Sequence, residues 1–330
     1  MRTIARGLIL SSDYLDPKLL LDFLGMVEDF GYDTVVFPEM WGHDAFTIIA
    51  QAMHVTSKIK FATGIVNIYS RSPATLAQTA ASLSELSDGR FILGLGASGP
   101  KVIEGFHGIP YGKPLQRTRE VVSVIRSLLA GERLNHSGEY FNVSDFKLMF
   151  TPEYPVPIFL AALGPKNLTL AGQIADGWYP IWASRQQFKE FSKPVLDGLR
   201  DSGRERSDFT IAPFLITCAS SDPSLTTKLA RRHIAYYVGK MGTFYYELAK
   251  RFGYTAEADQ IRKLYPQDRE KAATIISDSM LDDIAVTGGV EEARAKMAAW
   301  DDAVDLPLVF LPYKTPPEVA FETVEALAPK

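Results

Sequence analysis

Residues 72–108 read SPATLAQTAASLSELSDGRFILGLGASGPKVIEGFHG, and the order of structure in this stretch decides the fold. Ser72 can cap a helix, and Pro73 fits a first turn that needs no backbone N–H. Leu76, Ala80, Leu83 and Leu86 follow at helical spacing. Asp88-Gly89 breaks the pattern. Phe91-Ile92-Leu93 then runs as a strand apolar on both faces into Gly94-Leu95-Gly96-Ala97-Ser98-Gly99. So little side chain at a strand's carboxyl end lets a flat or phosphorylated ligand approach the backbone.

The same alternation extends in both directions. Strands are expected at 4–10, 33–38, 60–66, 91–96, 157–161, 177–181, 209–219 and 307–311. Helices are expected from Asp16-Pro17 to Gly31, at 46–55, after Ser72, and at 116–129, 166–174, 186–201 and 316–327. Eight short apolar strands, each followed by helix, predict an α/β protein, a (β/α)8 TIM barrel. Two stretches depart from the repeat. Residues 131–155 alternate like a β excursion, and 222–289 form a long helical insertion between strands 7 and 8. No linker or short repeat interrupts the chain, so residues 1–330 are expected to form a single domain.

Residues 94–99 also match G-x-G-x-x-G. A dinucleotide fold needs a long helix at once, then a strand bearing an acid about 20 positions on. Here Pro100 follows, then a short segment and the loop GIPYGKP. The fingerprint also sits in the fourth βα unit rather than the first, so the barrel is the better reading.

Composition narrows the function classes. The formal net charge is −4, which gives no electrostatic reason to bind nucleic acid. The single cysteine, Cys218, lies in an apolar run and predicts a buried thiol in a reducing cytoplasm. No signal peptide or membrane span is visible. The five histidines form no H-x-H or H-x-x-x-H pair, so no metal site is expected.

Three segments, FPEMWGHDAFTIIA, the run from Phe61 to Gly108, and IFLAALGPKNLTLAGQIADGWYP, together resemble the bacterial-luciferase-like oxidoreductases. GASGPKVIEG resembles the branch that uses the deazaflavin coenzyme F420. The resemblance covers roughly residues 1–215 and the last barrel unit. It implies a hydride-transferring enzyme with coenzyme F420, a small-molecule substrate and a homodimer. FMN is the alternative cofactor, in a luciferase-like monooxygenase. A non-catalytic flavin-binding barrel is a second alternative, because fold alone does not guarantee chemistry.

The resemblance also implies site residues. A bulge with a non-prolyl cis peptide at Gly64–Ile65 would support the coenzyme ring. Ser98 and Gly99 would touch the coenzyme. Its phosphate would meet Ala162, Leu163, Gly164 and Lys166, where a strand ends and a helix N-terminus offers backbone N–H groups. Glu39 and Trp41, at the end of strand two, would line the pocket as candidate catalytic residues, although Glu39 stands where several relatives have an Asp-His pair and acid–base roles carry over poorly. Asp44 reads as a helix cap, and His43 departs from the family's order by following the tryptophan. Glu104 would be an acid in an apolar pocket, and His107 is a weaker candidate. In the insertion, Ile234, Tyr237, Met241, Tyr245 and Leu248 make a helical stripe that packs or forms a lid. Arg231, Arg232 and Lys240 are either a solvated face or a contact for the acidic tail of the coenzyme.

Overall fold

The computed structural model describes residues 5–11 and 17–329, and the expected start of the first helix at Asp16 lies outside them. The chain forms two compact units. Among the described residues no helix is long and apolar enough to cross a membrane.

The first unit comprises residues 10–11, 17–179 and 193–210 among those described. Its strands Thr34–Phe37, Lys60–Thr63, Phe91–Gly96, Ile158–Ala161 and Gly177–Tyr179 lie side by side in that order, and all are parallel. Val66–Asn67 adds a short strand against the carboxyl end of Phe91–Gly96. Most strand residues are buried, which explains the continuous apolar runs in the sequence. The strand expected over 60–66 is interrupted at Gly64–Ile65, where the peptide bond is cis.

The helices start and stop on local signals. Ser72 accepts a hydrogen bond from the Thr75 N–H at 3.1 Å and caps Pro73–Leu86. Asp44 accepts from the Thr47 N–H at 2.8 Å and caps Ala45–Ala52. Asp88 and Gly89 end the Ser72 helix with φ of +53° and +78°. The helix Pro165–Ile174 and residues 193–201 approach through glycines. A Cβ on Gly172 would lie 2.1 Å from the Val195 carbonyl oxygen, and one on Gly198 would lie 2.2 Å from that of Thr169.

The β excursion is an antiparallel hairpin, Leu134–Ser137 with Asn142–Phe146. Its turn is tied down by Glu120, a buried residue of the helix Pro114–Leu129. Glu120 accepts from the backbone N–H groups of Glu139, Tyr140 and Phe141 at 3.0, 2.9 and 3.3 Å.

The second unit comprises residues 5–9, 180–192 and 211–329 among those described. Its parallel strands run in the order Gly7–Ile9, Leu308–Phe310, Phe214–Ala219, Ala285–Gly288. Two expectations need correction. The long strand over 209–219 is broken after Ile211, because Pro213 has no N–H to give a ladder. The segment 222–289 is mostly helical as expected, but it also holds a strand that was not. Near its end, Ala285–Gly288 form a buried strand paired with Ile216–Ala219. Four residues behind a helix are too few for periodicity to reveal, and pairing with a distant strand decides them.

Candidate functional site

The site builds up in the first unit at the carboxyl ends of neighbouring strands. Gly96 is where three of the expected loops meet. A Cβ there would lie 3.0 Å from Ile65 Cγ1 and 3.4 Å from Ala161 Cβ. Asn67 is in register with Gly96, and Leu95 with Leu160. The strand order therefore brings together Gly64–Ile65, Ser98–Gly99 and Ala162–Lys166.

The glycines in these loops serve different purposes. A Cβ on Gly94 would sit 1.8 Å from the Thr63 carbonyl oxygen and 2.8 Å from the Tyr179 ring. Gly94 and Gly96 are thus required by close approach of the protein to itself, which corrects the expectation that the whole loop is bare for a ligand. Gly99 and Gly164 are different, because a Cβ on either meets nothing within 4 Å. Each begins a Gly-Pro-Lys triplet that opens a helix, at 99–101 and 164–166. Neither helix start has a side-chain cap. The N-terminus of Pro165–Ile174 is the longer of the two, and its first backbone N–H groups are available to an anion. Gly164 and Lys166 are exposed there, while Ala162 is buried and accepts from Trp178 Nε1 at 3.0 Å.

Around the loop after Gly96, side chains are locked. Ser98 has φ +55° and its carbonyl accepts from the Tyr111 hydroxyl at 3.0 Å. The Tyr69 hydroxyl donates to the Tyr111 carbonyl at 2.9 Å, and the two rings stack at 5.3 Å. Burial raises the pKa of both phenols, so both remain protonated donors. Asn67 Oδ1 accepts from the N–H groups of Tyr69 and Ser70 at 2.9 and 2.8 Å. Its amide NH2 group therefore faces His107 Nε2, 3.2 Å away. With the amide donating on that side, Nε2 is the accepting nitrogen of the His107 ring.

Glu39 sits two residues past the strand Thr34–Phe37 and is fully engaged. Arg71 Nη1 and Nη2 donate to its two oxygens at 2.7 and 2.9 Å, and the Ala45 N–H donates at 3.0 Å. Arg71 also binds Asp44 and lies 5.0 Å over the Phe46 ring. Burial works to lower the Arg71 pKa, but its bonds to Glu39 and Asp44 outweigh it and the net direction is upward. This arrangement fixes the loop that carries Trp41, which is 54% exposed.

Glu104 differs from its expectation. It is exposed on the short helix Pro100–Gly105, where its Oε1 accepts from the Tyr111 N–H at 3.3 Å. The apolar enclosure expected of a buried acid is absent around it. Arg231 and Arg232 also have other duties: Arg231 binds the Ile276 carbonyl and Asp278, and Arg232 binds Glu270 at 2.7 Å. The sequence reading missed Arg71, whose only signal was a cation just before the Ser72 cap. It quoted Asn67 without giving it a role.

The profile of the luciferase-like monooxygenase family matches residues 7–305. The chain is 33% identical over 307 residues to a Mycobacterium tuberculosis protein provisionally named a coenzyme F420-dependent oxidoreductase, covering 87% of this chain and 88% of that one. It is 28% identical over 287 residues to the 5,10-methylenetetrahydromethanopterin reductase of Methanolobus tindarius, covering 86% of each. The solved coenzyme F420-dependent tetrahydromethanopterin reductase of Methanopyrus kandleri superposes with a TM-score of 0.86 at 21% identity, covering 98% of this chain and 97% of that one. This likeness shows the fold, the α/β TIM-barrel class expected from the strand alternation.

Proposed function

Because the chain belongs to the luciferase-like monooxygenase family, we propose that it is a coenzyme F420-dependent oxidoreductase acting on a small organic molecule. The observation that carries this reading is the likeness along 87% of the chain to the M. tuberculosis protein of that name. The residues present fit such a coenzyme. Gly164 leaves the uncapped start of a ten-residue helix open for a phosphate, and Gly99 leaves open space at the start of Pro100–Gly105. When bound, the deazaflavin supplies hydride exchange at its ring carbon.

The chain's own residues position and exclude. In this reading Gly64 and Ile65 support the ring, and Ser98 and Gly99 contact it. Ala162, Leu163, Gly164 and Lys166 hold the phosphate. Glu39 is a positioning residue, because three donors already occupy its oxygens, and Trp41 covers the ligand from the loop that Glu39 fixes. Glu104, exposed and held by one backbone N–H, carries the proton. The reading extends to a single domain, since the family match runs through residues of both units. It also includes a homodimer, which the family resemblance implies, and a cytoplasmic setting with no nucleic-acid or membrane partner, for which the net charge and the lone buried cysteine are the support.

Equilibrium binding of coenzyme F420 and of FMN, followed side by side by fluorescence, tests the proposal. Saturable binding of the deazaflavin alone is expected. Preference for FMN would replace the reading with a flavin-dependent monooxygenase. Binding of neither would overturn the coenzyme assignment.

A further inference from the structure

The helix Pro114–Leu129 carries Arg119, Ser123 and Arg126 at spacings of four and three, so the three share one face. That face meets the end of the helix Pro165–Ile174. Arg126 donates from Nε and Nη2 to the Ile174 carbonyl at 3.3 and 2.8 Å, and Arg119 Nη2 donates to Gln173 Oε1 at 3.3 Å. Arg204, in the turn after residues 193–201, donates from Nη1 to the Gly172 and Ala175 carbonyls. Carbonyls at a helix end lack partners of their own and favour cations.

Asp176 completes the arrangement. Its Oδ2 accepts from Arg126 Nη2 at 2.9 Å and from the Ile158 N–H at 2.8 Å, and its Oδ1 lies 3.4 Å from Arg204 Nη2. The three guanidiniums line one cleft of about 500 Å³ within the first unit. Among the described residues Asp176 is the one carboxylate lining it, so three positive charges face one negative charge. The donors are not all used. Arg126 bonds through Nε and Nη2, Arg204 through Nη1 and Nη2, and Arg119 through Nη2. Arg126 Nη1, Arg204 Nε and Arg119 Nη1 remain for a ligand. Val122 and Ile174 add an apolar wall.

The cleft stands at the amino ends of two strands, because Asp176 precedes Gly177–Tyr179 and holds the first N–H of Ile158–Ala161. Barrel chemistry takes place at the opposite, carboxyl ends. The occupant is therefore not the reacting substrate. We propose that this cleft binds a small phosphate monoester with an apolar body, independently of the coenzyme. Such an ester carries close to two negative charges at neutral pH, which matches the excess, and its oxygens accept the remaining N–H groups. Its apolar body lies on Val122 and Ile174. Backbone carbonyls and Asp176 already hold Arg126 and Arg204, so binding orders little that is not ordered before.

Isothermal titration calorimetry of the full chain tests the proposal with phenyl phosphate, inorganic phosphate and phenol. Phenyl phosphate should bind saturably, at least about threefold more tightly than inorganic phosphate, and phenol should not bind. Ser123→Glu sets a carboxylate four residues after Arg119 and three before Arg126, on the exposed helix face, where it pairs with both. This variant should fold and should weaken phenyl phosphate at least about tenfold, whereas Ser123→Gln should lose less than about threefold. Gly164→Asp, altered at the coenzyme phosphate position, should bind phenyl phosphate as the native chain does. Absence of saturable binding, or unchanged affinity in Ser123→Glu, overturns the proposal. Equal loss in Ser123→Gln overturns the charge match on which it stands, and equal affinity for inorganic phosphate overturns the ester. Loss in Gly164→Asp, or displacement by coenzyme F420, would put the ester at the coenzyme site and overturn the second site. Coenzyme F420 affinity measured separately bears on the oxidoreductase reading alone.

Discussion

Arg71 grips Glu39 with both terminal guanidinium nitrogens, at 2.7 and 2.9 Å, across 32 positions of sequence. The same guanidinium reaches Asp44, so one cation fixes both ends of the loop bearing Trp41. Arg71→Gln should lower stability by about 1–3 kcal/mol. That is less than for a fully buried pair, because the Arg71 side chain is 21% exposed. Arg71→Lys should recover only part of the loss, since a point charge cannot meet both oxygens in plane. Urea denaturation reads both variants, and an unchanged midpoint in Arg71→Gln would show that the pair holds nothing.

The glycines of the loop should separate by substitution. Gly94→Ala drives a methyl to 1.8 Å from a backbone oxygen and should cost at least about 3 kcal/mol. Gly99→Ala adds a methyl to open space at φ −107° and should change stability by no more than about 0.5 kcal/mol. Coenzyme F420 affinity should nevertheless fall in Gly99→Val. Thermal melts and fluorescence titration decide between them. Equal destabilisation at both positions would contradict the packing described.

At Gly164, stability and binding should move in opposite directions. Gly164→Asp supplies the missing side-chain cap to Pro165–Ile174 and should raise stability by a few tenths of a kcal/mol. It also sets a carboxylate against the anion site, so coenzyme affinity should drop at least about tenfold. Intact affinity in the folded variant would move the phosphate elsewhere.

Acid should loosen the hairpin through Glu120. Burial acts to raise its pKa, but hydrogen bonds from Tyr140, Gln116, Glu139 and Phe141 outweigh it, and the net shift is downward. A depressed folded pKa gives stability that is present above the ordinary value of 4.5 and lost as pH falls through the folded value. Glu120→Gln should therefore be less stable at neutral pH and show a flatter loss between about pH 5 and pH 3. Parallel slopes for the two proteins would remove Glu120 from the acid limb.

Cys218 should be inert in the folded protein. It is fully buried against Leu229 and Val319, and burial pushes its thiol up to about 12. Thiol reagents at pH 8 should label it only in denaturant. Rapid labelling of the native chain would mean that this core opens.

How much was legible follows the reach of each interaction. Ser72 and Asp44 bond to groups three residues away, so their caps could be read directly. The break at Asp88-Gly89 and the buried strand after it are likewise local in composition. Ala285–Gly288 was missed because its strand character comes from pairing with residues 216–219. Glu104 was expected to be enclosed, but its exposure depends on which side of a six-residue helix faces the protein, and so short a helix shows too little periodicity to tell.

Apolar periodicity and caps act over a few residues, so the alternation of strands and helices, and hence the parallel α/β fold, is legible in the chain alone. The sequence also placed Gly64–Ile65, Gly99 and Gly164 at the ends of strands. Which glycines are bare and which are filled emerges on folding, since Gly94 and Gly96 meet Thr63, Ile65 and Ala161 across strand neighbours. Folding alone turned Glu39 into the partner of Arg71. Those outcomes depend on distances between residues far apart in the chain, which side-chain chemistry and spacing do not encode.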